Sequence, residues 1–251
     1  MTIDRETASK VPAVTIGFWI IKILATTLGE TAGDTVSMSM DLGYLVGTAI
    51  FATILVVFVW LQIKASTFQP WLYWATIIAS TTAGTTMADY ATRSMGIGYP
   101  GGSILLLACV LASLFVWYRA LGTISVESIQ SAKAETYYWI TITFSQTLGT
   151  ALGDWTADTG NLGYIGAAGI FAVALAVVAA LYFWTSISRV ALFWAAFILT
   201  RPLGAAVGDF LDKPIEKGGL DFSRPLASLV LAIAIGALIL LLPQRASEQA
   251  H

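Results

Sequence analysis

The 251-residue chain is 57% hydrophobic and 11% charged, with a mean hydropathy of +0.78, well short of the roughly 25% charged residues of an ordinary soluble domain. At about 20 residues per membrane-crossing helix, this length accommodates about eight spans and no separate soluble domain. A net charge of -2 without a Lys/Arg-rich stripe excludes nucleic acid as a partner.

The first apolar stretch, residues 11–31, is too long for a signal-peptide core of about 7 to 15 residues and has no cleavage site, so it is expected to remain as a first helix. Apolar runs near 13–33, 42–62, 71–90, 101–118, 137–154, 163–184, 190–209 and 225–242 give eight spans. A search for internal repeats ties these spans into four units. Trp19, Trp74, Trp139 and Trp194 each precede an aspartate, Asp34, Asp89, Asp154 and Asp209, by fifteen positions. Gly29, Gly84, Gly149 and Gly204 stand five residues before those aspartates, and Gly43, Gly98, Gly163 and Gly218 nine residues after them. A tyrosine follows in the first three units, as Tyr44, Tyr99 and Tyr164, but Gly219 follows in the fourth. The tryptophans are expected to anchor helices or fill the bundle. The glycines before the aspartates are expected to let helices approach closely.

The aspartates lie 55, 65 and 55 positions apart, so a shift of 120 carries 34 to 154 and 89 to 209. The chain therefore reads as two pseudo-symmetric halves, residues 1–118 and 137–251, joined by a linker at 119–136. The polar part of that linker, 119–135, is expected to lie at the membrane surface as a short amphipathic helix. Two spans per unit place all four aspartate-bearing turns on one side, so the units are parallel rather than inverted. The expected fold is an all-α membrane protein of eight transmembrane helices, built from four parallel two-helix hairpin repeats.

Arg5, Lys10, Lys64, Arg119, Lys133, Arg189 and Arg245 lie at the termini and between repeats, against Arg93, Lys213, Lys217 and Arg224 in the turns. By the positive-inside rule both termini face the cytoplasm, in a bacterial cytoplasmic (inner) membrane. The turn side is acidic, with Asp34, Asp41, Asp89, Asp154, Asp158, Asp209, Asp212, Glu216 and Asp221, and would concentrate cations. Cys109, inside the apolar run 103–117, has no second cysteine to pair with and reads as a small packing residue. The sole histidine, His251, is the last residue and reads as tail.

A carboxylate at membrane depth needs a reason. Thr26, Glu30 and Asp34 are spaced i, i+4, i+8 and share one helical face. The matching stripes are Thr81, Thr85, Asp89, then Gln146, Thr150, Asp154, then Arg201, Ala205, Asp209. Three stripes offer oxygen ligands and the fourth a fixed positive charge. Oxygen-rich sites suit hard divalent cations, while one cysteine and one terminal histidine argue against zinc or copper(I). Met38, Met40, Met87 and Met95 fall near the aspartates, and a thioether beside carboxylates favours manganese over magnesium or calcium. The expected metal ligands are Glu30, Asp34, Asp89, Asp154 and Asp209. Met38, Met87, Asp41, Asp158, Thr85, Thr150 and Gln146 are expected nearby as further ligands or supports. Each aspartate has a second reading as a helix cap or turn residue, and the methionines one as gap-fillers. Lys22 either snorkels to the interface or pairs with an intramembrane carboxylate. Arg201, before Pro202, is expected to pair with Asp209 or Glu30.

With four units of two spans and one tryptophan each, as in 19–44 and 139–164, the chain resembles a bacterial membrane-protein family of tandem repeats of unknown function. The resemblance covers about 12–242 and implies architecture without activity. The string Glu30, Thr31, Ala32, Gly33, Asp34, Thr35 is also similar to the acidic signature of cation/proton exchangers for calcium and manganese, with one residue more in its spacing.

The sequence thus points to a transporter or exporter of a divalent metal cation, manganese above others, driven by proton exchange at the carboxylates. The expected partners are the lipid bilayer and the metal ion, with a homo-oligomer left open. No nucleotide-binding motif is present, and no nucleophile and base are paired as an enzyme would require. An organic-cation or other small-molecule transporter with tryptophans lining its pocket and a non-transporting scaffold or sensor are the alternatives.

Overall fold

Threonine and glycine fill half of the helices and branched aliphatics the other half, and that division sorts them into two concentric rings. The computed structural model describes residues 9–158 and 162–247; Arg5 and His251 lie outside them. The helices are α1 (Ile16–Asp34), α2 (Gly43–Lys64), α3 (Pro70–Asp89), α4 (Gly98–Leu121), α5 (Ala132–Asp158), α6 (Gly163–Trp184), α7 (Arg189–Asp212) and α8 (Arg224–Leu241). Among the described residues the fold is all-α, as the eight apolar runs and the four repeats predict. The first helices of the four units, α1, α3, α5 and α7, form an inner ring in which each touches the next and α7 returns to α1.

The outer ring is offset by one unit. Helix α2 packs chiefly on α3, α4 on α5, α6 on α7, and α8 closes the circle on α1. The two-helix unit legible in the sequence is therefore not the unit of packing, because the segment after each aspartate carries the chain one place around the ring. Gly43, Gly98 and Gly163 open the outer helices with φ of +74°, +73° and +62°, a left-handed conformation that costs a side-chain-bearing residue energy. This explains their recurrence nine residues after each aspartate.

Helices α2, α4, α6, α7 and α8 are long and apolar enough to cross a membrane. The outer helices turn residues such as Val56, Leu105, Phe115, Val173 and Ile233 outward to lipid. Helices α1, α3 and α5 are more polar, and they can be because protein rather than lipid surrounds them. The inner ring is tight. A Cβ added at Gly84 would lie 2.9 Å from the backbone of Gln146 and Thr147, and one at Gly29, Gly149 or Gly204 would collide with Thr81, Arg201 or Thr26. The repeated glycine is thus the joint at which each inner helix receives the polar stripe of its neighbour, the packing of small residues typical of membrane bundles.

The end of the bundle that carries the termini is closed by aromatic rings. Trp74, Trp139 and Trp194 are buried there with Phe18, Tyr73, Trp117, Tyr138 and Phe193. The Tyr73 and Tyr138 hydroxyls share a hydrogen bond of 2.6 Å. Trp19 is half-buried, edge-on to Phe18 at 5.1 Å.

The linker departs from expectation. Helix α4 runs on to Leu121, α5 begins at Ala132, and between them stands one 3-10 turn, Val126–Ser128, rather than an amphipathic surface helix. Its apolar residues Val126 and Ile129 are buried in the aromatic floor, and the Ile124 carbonyl accepts from the Trp194 indole at 2.9 Å. Ser9 donates to the Val126 carbonyl at 2.7 Å, and Lys10 forms an ion pair with Glu135 at 2.5 Å. Pro12 and Ala246 meet in a β-bridge, bringing the two ends of the described chain together.

Candidate functional site

The inner faces of α1, α3, α5 and α7 build a polar column along the axis, from the aromatic floor to a mouth at the aspartate end. All four repeated aspartates are buried, between 0% and 4% exposed, in a helical turn that continues beyond them. Their side chains face the ring interior and do not cap helix ends. After Asp34 and Asp89 the helix widens into π-helical turns, Thr35–Ser39 and Tyr90–Ser94. Such turns are frequent at functional sites.

Arg201 lies at the axis midway along the column and is fully buried. Its Nη1 donates to Glu30 Oε2 at 3.0 Å and to the Thr26 carbonyl at 3.5 Å, both on α1. Its Nη2 donates to Thr85 Oγ1 at 2.5 Å and the Thr81 carbonyl at 3.3 Å on α3, and to Thr150 Oγ1 at 2.5 Å on α5. One guanidinium from α7 thus ties all three other inner helices together and plugs the axis. The Thr85 and Thr150 hydroxyls donate in turn to Glu30 Oε2, each at 3.3 Å. The planar fork of arginine suits this arrangement, and it keeps its charge when buried. Gln146, at the matching position on α5, is buried with neither amide atom hydrogen-bonded to a described residue.

Above this layer the aspartates divide into two pairs. Lys213, one turn past Asp209, contacts Asp209 Oδ1 at 2.9 Å and pairs with Asp34 Oδ2, with Asp212 Oδ1 3.8 Å away. Arg224 supports this group, 3.1 Å from Asp212 and 3.9 Å from Asp34. Arg93, one turn past Asp89, bridges Asp89 at 3.0 Å and Asp154 at 2.9 Å, and donates to the Tyr44 hydroxyl at 3.0 Å.

Of the five carboxylates expected as ligands, the structure brings three together: Glu30, Asp34 and Asp209 present oxygens within 4.8 Å of one another. Asp34 Oδ1 is buried without a hydrogen-bond partner among the described residues. Asp89 and Asp154 belong to the separate pair on Arg93. Met38 and Met87 are half-buried. Asp41 and Asp158 are exposed, Asp41 in a left-handed turn with φ of 56°, so neither reaches the column.

Lys22 follows neither expected course. It is fully buried, so it does not snorkel, and it has no ion pair among the described residues; its Nζ donates to Thr200 Oγ1 at 3.5 Å and lies 4.1 Å from the centre of the Phe197 ring. Glu30, two helical turns along α1, is already taken by Arg201. The tryptophans pack on one another and on tyrosine in the floor, as Trp74 does on Tyr73 and Trp139 on Tyr138.

Arg93 and Lys213 are the site residues that sequence reasoning missed. Each stands four positions after its aspartate, in the second and fourth units, and they are 120 positions apart. That i, i+4 spacing on a shared face is the signal that points to them. Six buried carboxylates, Glu30, Asp34, Asp89, Asp154, Asp209 and Asp212, meet four cations, Arg93, Arg201, Lys213 and Arg224, in these ion pairs. With every group ionised, the paired network carries two negative charges in excess.

A family model described as Repeat of Unknown Function (DUF347) matches four times, over residues 17–67, 72–123, 137–188 and 192–245. No curated protein and no solved structure matches the chain.

Proposed function

We propose that this chain, which belongs to the Repeat of Unknown Function (DUF347) family through all four of its units, is a membrane transporter or exporter of a divalent metal cation. The observation that carries this reading is the buried trio Glu30, Asp34 and Asp209, with oxygens within 4.8 Å of one another. Hard divalent cations take carboxylate oxygens at about 2.0 to 2.6 Å, and atoms that close converge on one ion with small side-chain movements. The Oδ1 of Asp34, buried without a hydrogen-bond partner among the described residues, is a lone-pair donor open to such an ion. Two excess negative charges in the paired network are what one such ion neutralises.

The ammonium of Lys213 occupies the position of the cargo's charge in the arrangement seen here. Cargo binding displaces it from Asp34 and Asp209, and its return expels the cargo. Manganese is the favoured ion. Met38 takes, in the first unit, the position that Lys213 takes in the fourth, one turn past the aspartate. A thioether drawn in beside these oxygens would make a donor set that favours a transition metal over magnesium or calcium. For the ion to pass inward, Arg201 must withdraw from the axis and the aromatic floor must part. We place the protein in a bacterial inner membrane with both termini cytoplasmic, on the excess of Lys and Arg at that end.

Reconstituted into proteoliposomes, the protein should carry manganese down its gradient, and Glu30→Gln should abolish that flux while the protein still elutes as a folded species. Undiminished flux in this variant sinks the assignment.

A further inference from the structure

One buried charge takes no part in the ion pairs of the column. Lys22 lies on the same face of α1 as Thr26, Glu30 and Asp34, at i, i+4, i+8 and i+12, and all four are at most 2% exposed. Among the described residues its ammonium hydrogen-bonds to Thr200 Oγ1 alone and otherwise lies over the Phe197 ring; the Thr200 hydroxyl in turn donates to the Phe197 carbonyl at 2.8 Å. The next residue after Thr200 is Arg201. Lys22 and Arg201 are thus neighbouring cations, and of the two only Arg201 is paired with the nearby carboxylate, Glu30. Of the two, only lysine can give up its charge by releasing a proton; arginine keeps its own.

We propose that Lys22 is the group that exchanges a proton during the transport cycle, with Arg201 as the element that couples it to the cation site. This rests on the cation-transport reading above. When a divalent cation takes Glu30 as a ligand, Arg201 loses its counter-charge at 3.0 Å, and its guanidinium turns its full field on Lys22. The N–H bond of the ammonium then breaks, the electron pair stays on nitrogen, and the proton passes to water, so that one proton leaves as one cation enters. Reprotonation of Lys22 drives Arg201 back onto Glu30 and releases the cation. The charge count supports this direction. Six carboxylates face five cations once Lys22 is included, so a divalent ion leaves one positive charge too many, and loss of one proton removes it. From α7, Arg201 is the charged group facing Lys22. Helix α3 carries its titratable residues, Tyr73 and Asp89, at its two ends, and α8 carries only Arg224, beside Asp212 at the mouth.

The test compares wild type, Lys22→Met and Lys22→Arg in proteoliposomes loaded with a pH-sensitive dye, with manganese as the probe. Wild type should move protons against manganese and respond to an imposed pH gradient. In Lys22→Met the protons moved per manganese should fall by about tenfold or more, within the usual range of coupling between two sites, and the pH gradient should lose its grip on the flux. Lys22→Arg, permanently charged, should lose the flux itself. If Lys22→Met moves protons with manganese as wild type does, the coupling role is overturned while transport stands. If wild type carries no manganese, both readings fall. Should Lys22→Met not fold, proton release on adding manganese to detergent-solubilised wild type decides: absence of release overturns the proposal.

Discussion

A shift of 120 residues carries Asp34, Asp209 and Lys213 onto Asp154, Asp89 and Arg93, yet the two half-sites differ in the charges around them. The first has a third carboxylate beneath it, Glu30, where the second has Thr150. Its bridging cation is a lysine, 9% exposed, a compact and mobile charge. The second is bridged by an arginine fork, 30% exposed, that rests against Tyr44 and Tyr99. The mates of Arg201 and Lys22 are Thr81 and Ile142. The two halves repeat the aspartates and their bridging cation, and they differ in Glu30, Arg201 and Lys22, which gather at the seam between α1 and α7.

The largest effect should come from the axis of that seam. Arg201→Met leaves Glu30 buried and unpaired, which costs about 3 to 5 kcal/mol and should show as a sharp fall in apparent melting temperature in detergent. Adding Glu30→Gln should recover most of it, since the two residues act as a pair. The mouth should separate the half-sites. Lys213→Ala and Arg93→Ala both unpair buried aspartates, but manganese at a hundred times its Kd should restore about 2.7 kcal/mol to Lys213→Ala alone. Equal rescue of the two variants in a thermal-shift series would erase the distinction between the two half-sites.

Smaller still is the contrast between Gly149 and its mate Gly29. Gly149→Ala drives a methyl into the stem of Arg201, whose head is pinned by hydrogen bonds, and should cost about 1 to 3 kcal/mol. Gly29→Ala meets the side chain of Thr81, whose hydroxyl has no hydrogen-bond partner among the described residues to lose, so its loss in melting temperature should be the lesser. Least of all, Tyr44→Phe removes one partly exposed hydrogen bond to Arg93, worth about 1 kcal/mol or less, and should leave manganese flux unaltered.

The architecture was legible because it is repeated. Fifteen positions from tryptophan to aspartate, four times over, gave the units, the spans and their parallel sense. The stripe Thr26, Glu30, Asp34 and the odd cation Arg201 were readable from helical spacing, and Arg201 meets Thr26 and Glu30 of that stripe. What spacing does not encode is which helix lies beside which. Nothing in the order of the chain says that α2 prefers α3 to α1, and so nothing said that Lys213 of the last unit would reach Asp34 of the first. The linker misled because its polar residues suggested a surface, while the residues that decide its place are Val126 and Ile129, each drawn into the aromatic floor.

The one-unit offset of the outer ring sets a schedule for biogenesis. Of the eight helices α1 is made before the others, yet the helix that covers its outer side, α8, is made after them. Through the whole of synthesis α1 carries Lys22, Glu30 and Asp34 without its final neighbours α7 and α8, and it falls short of the apolarity that would hold a lone helix in lipid. The circle therefore closes only when α8 reaches α1, and truncation of α8 should leave the outer side of α1 uncovered rather than merely shorten the chain.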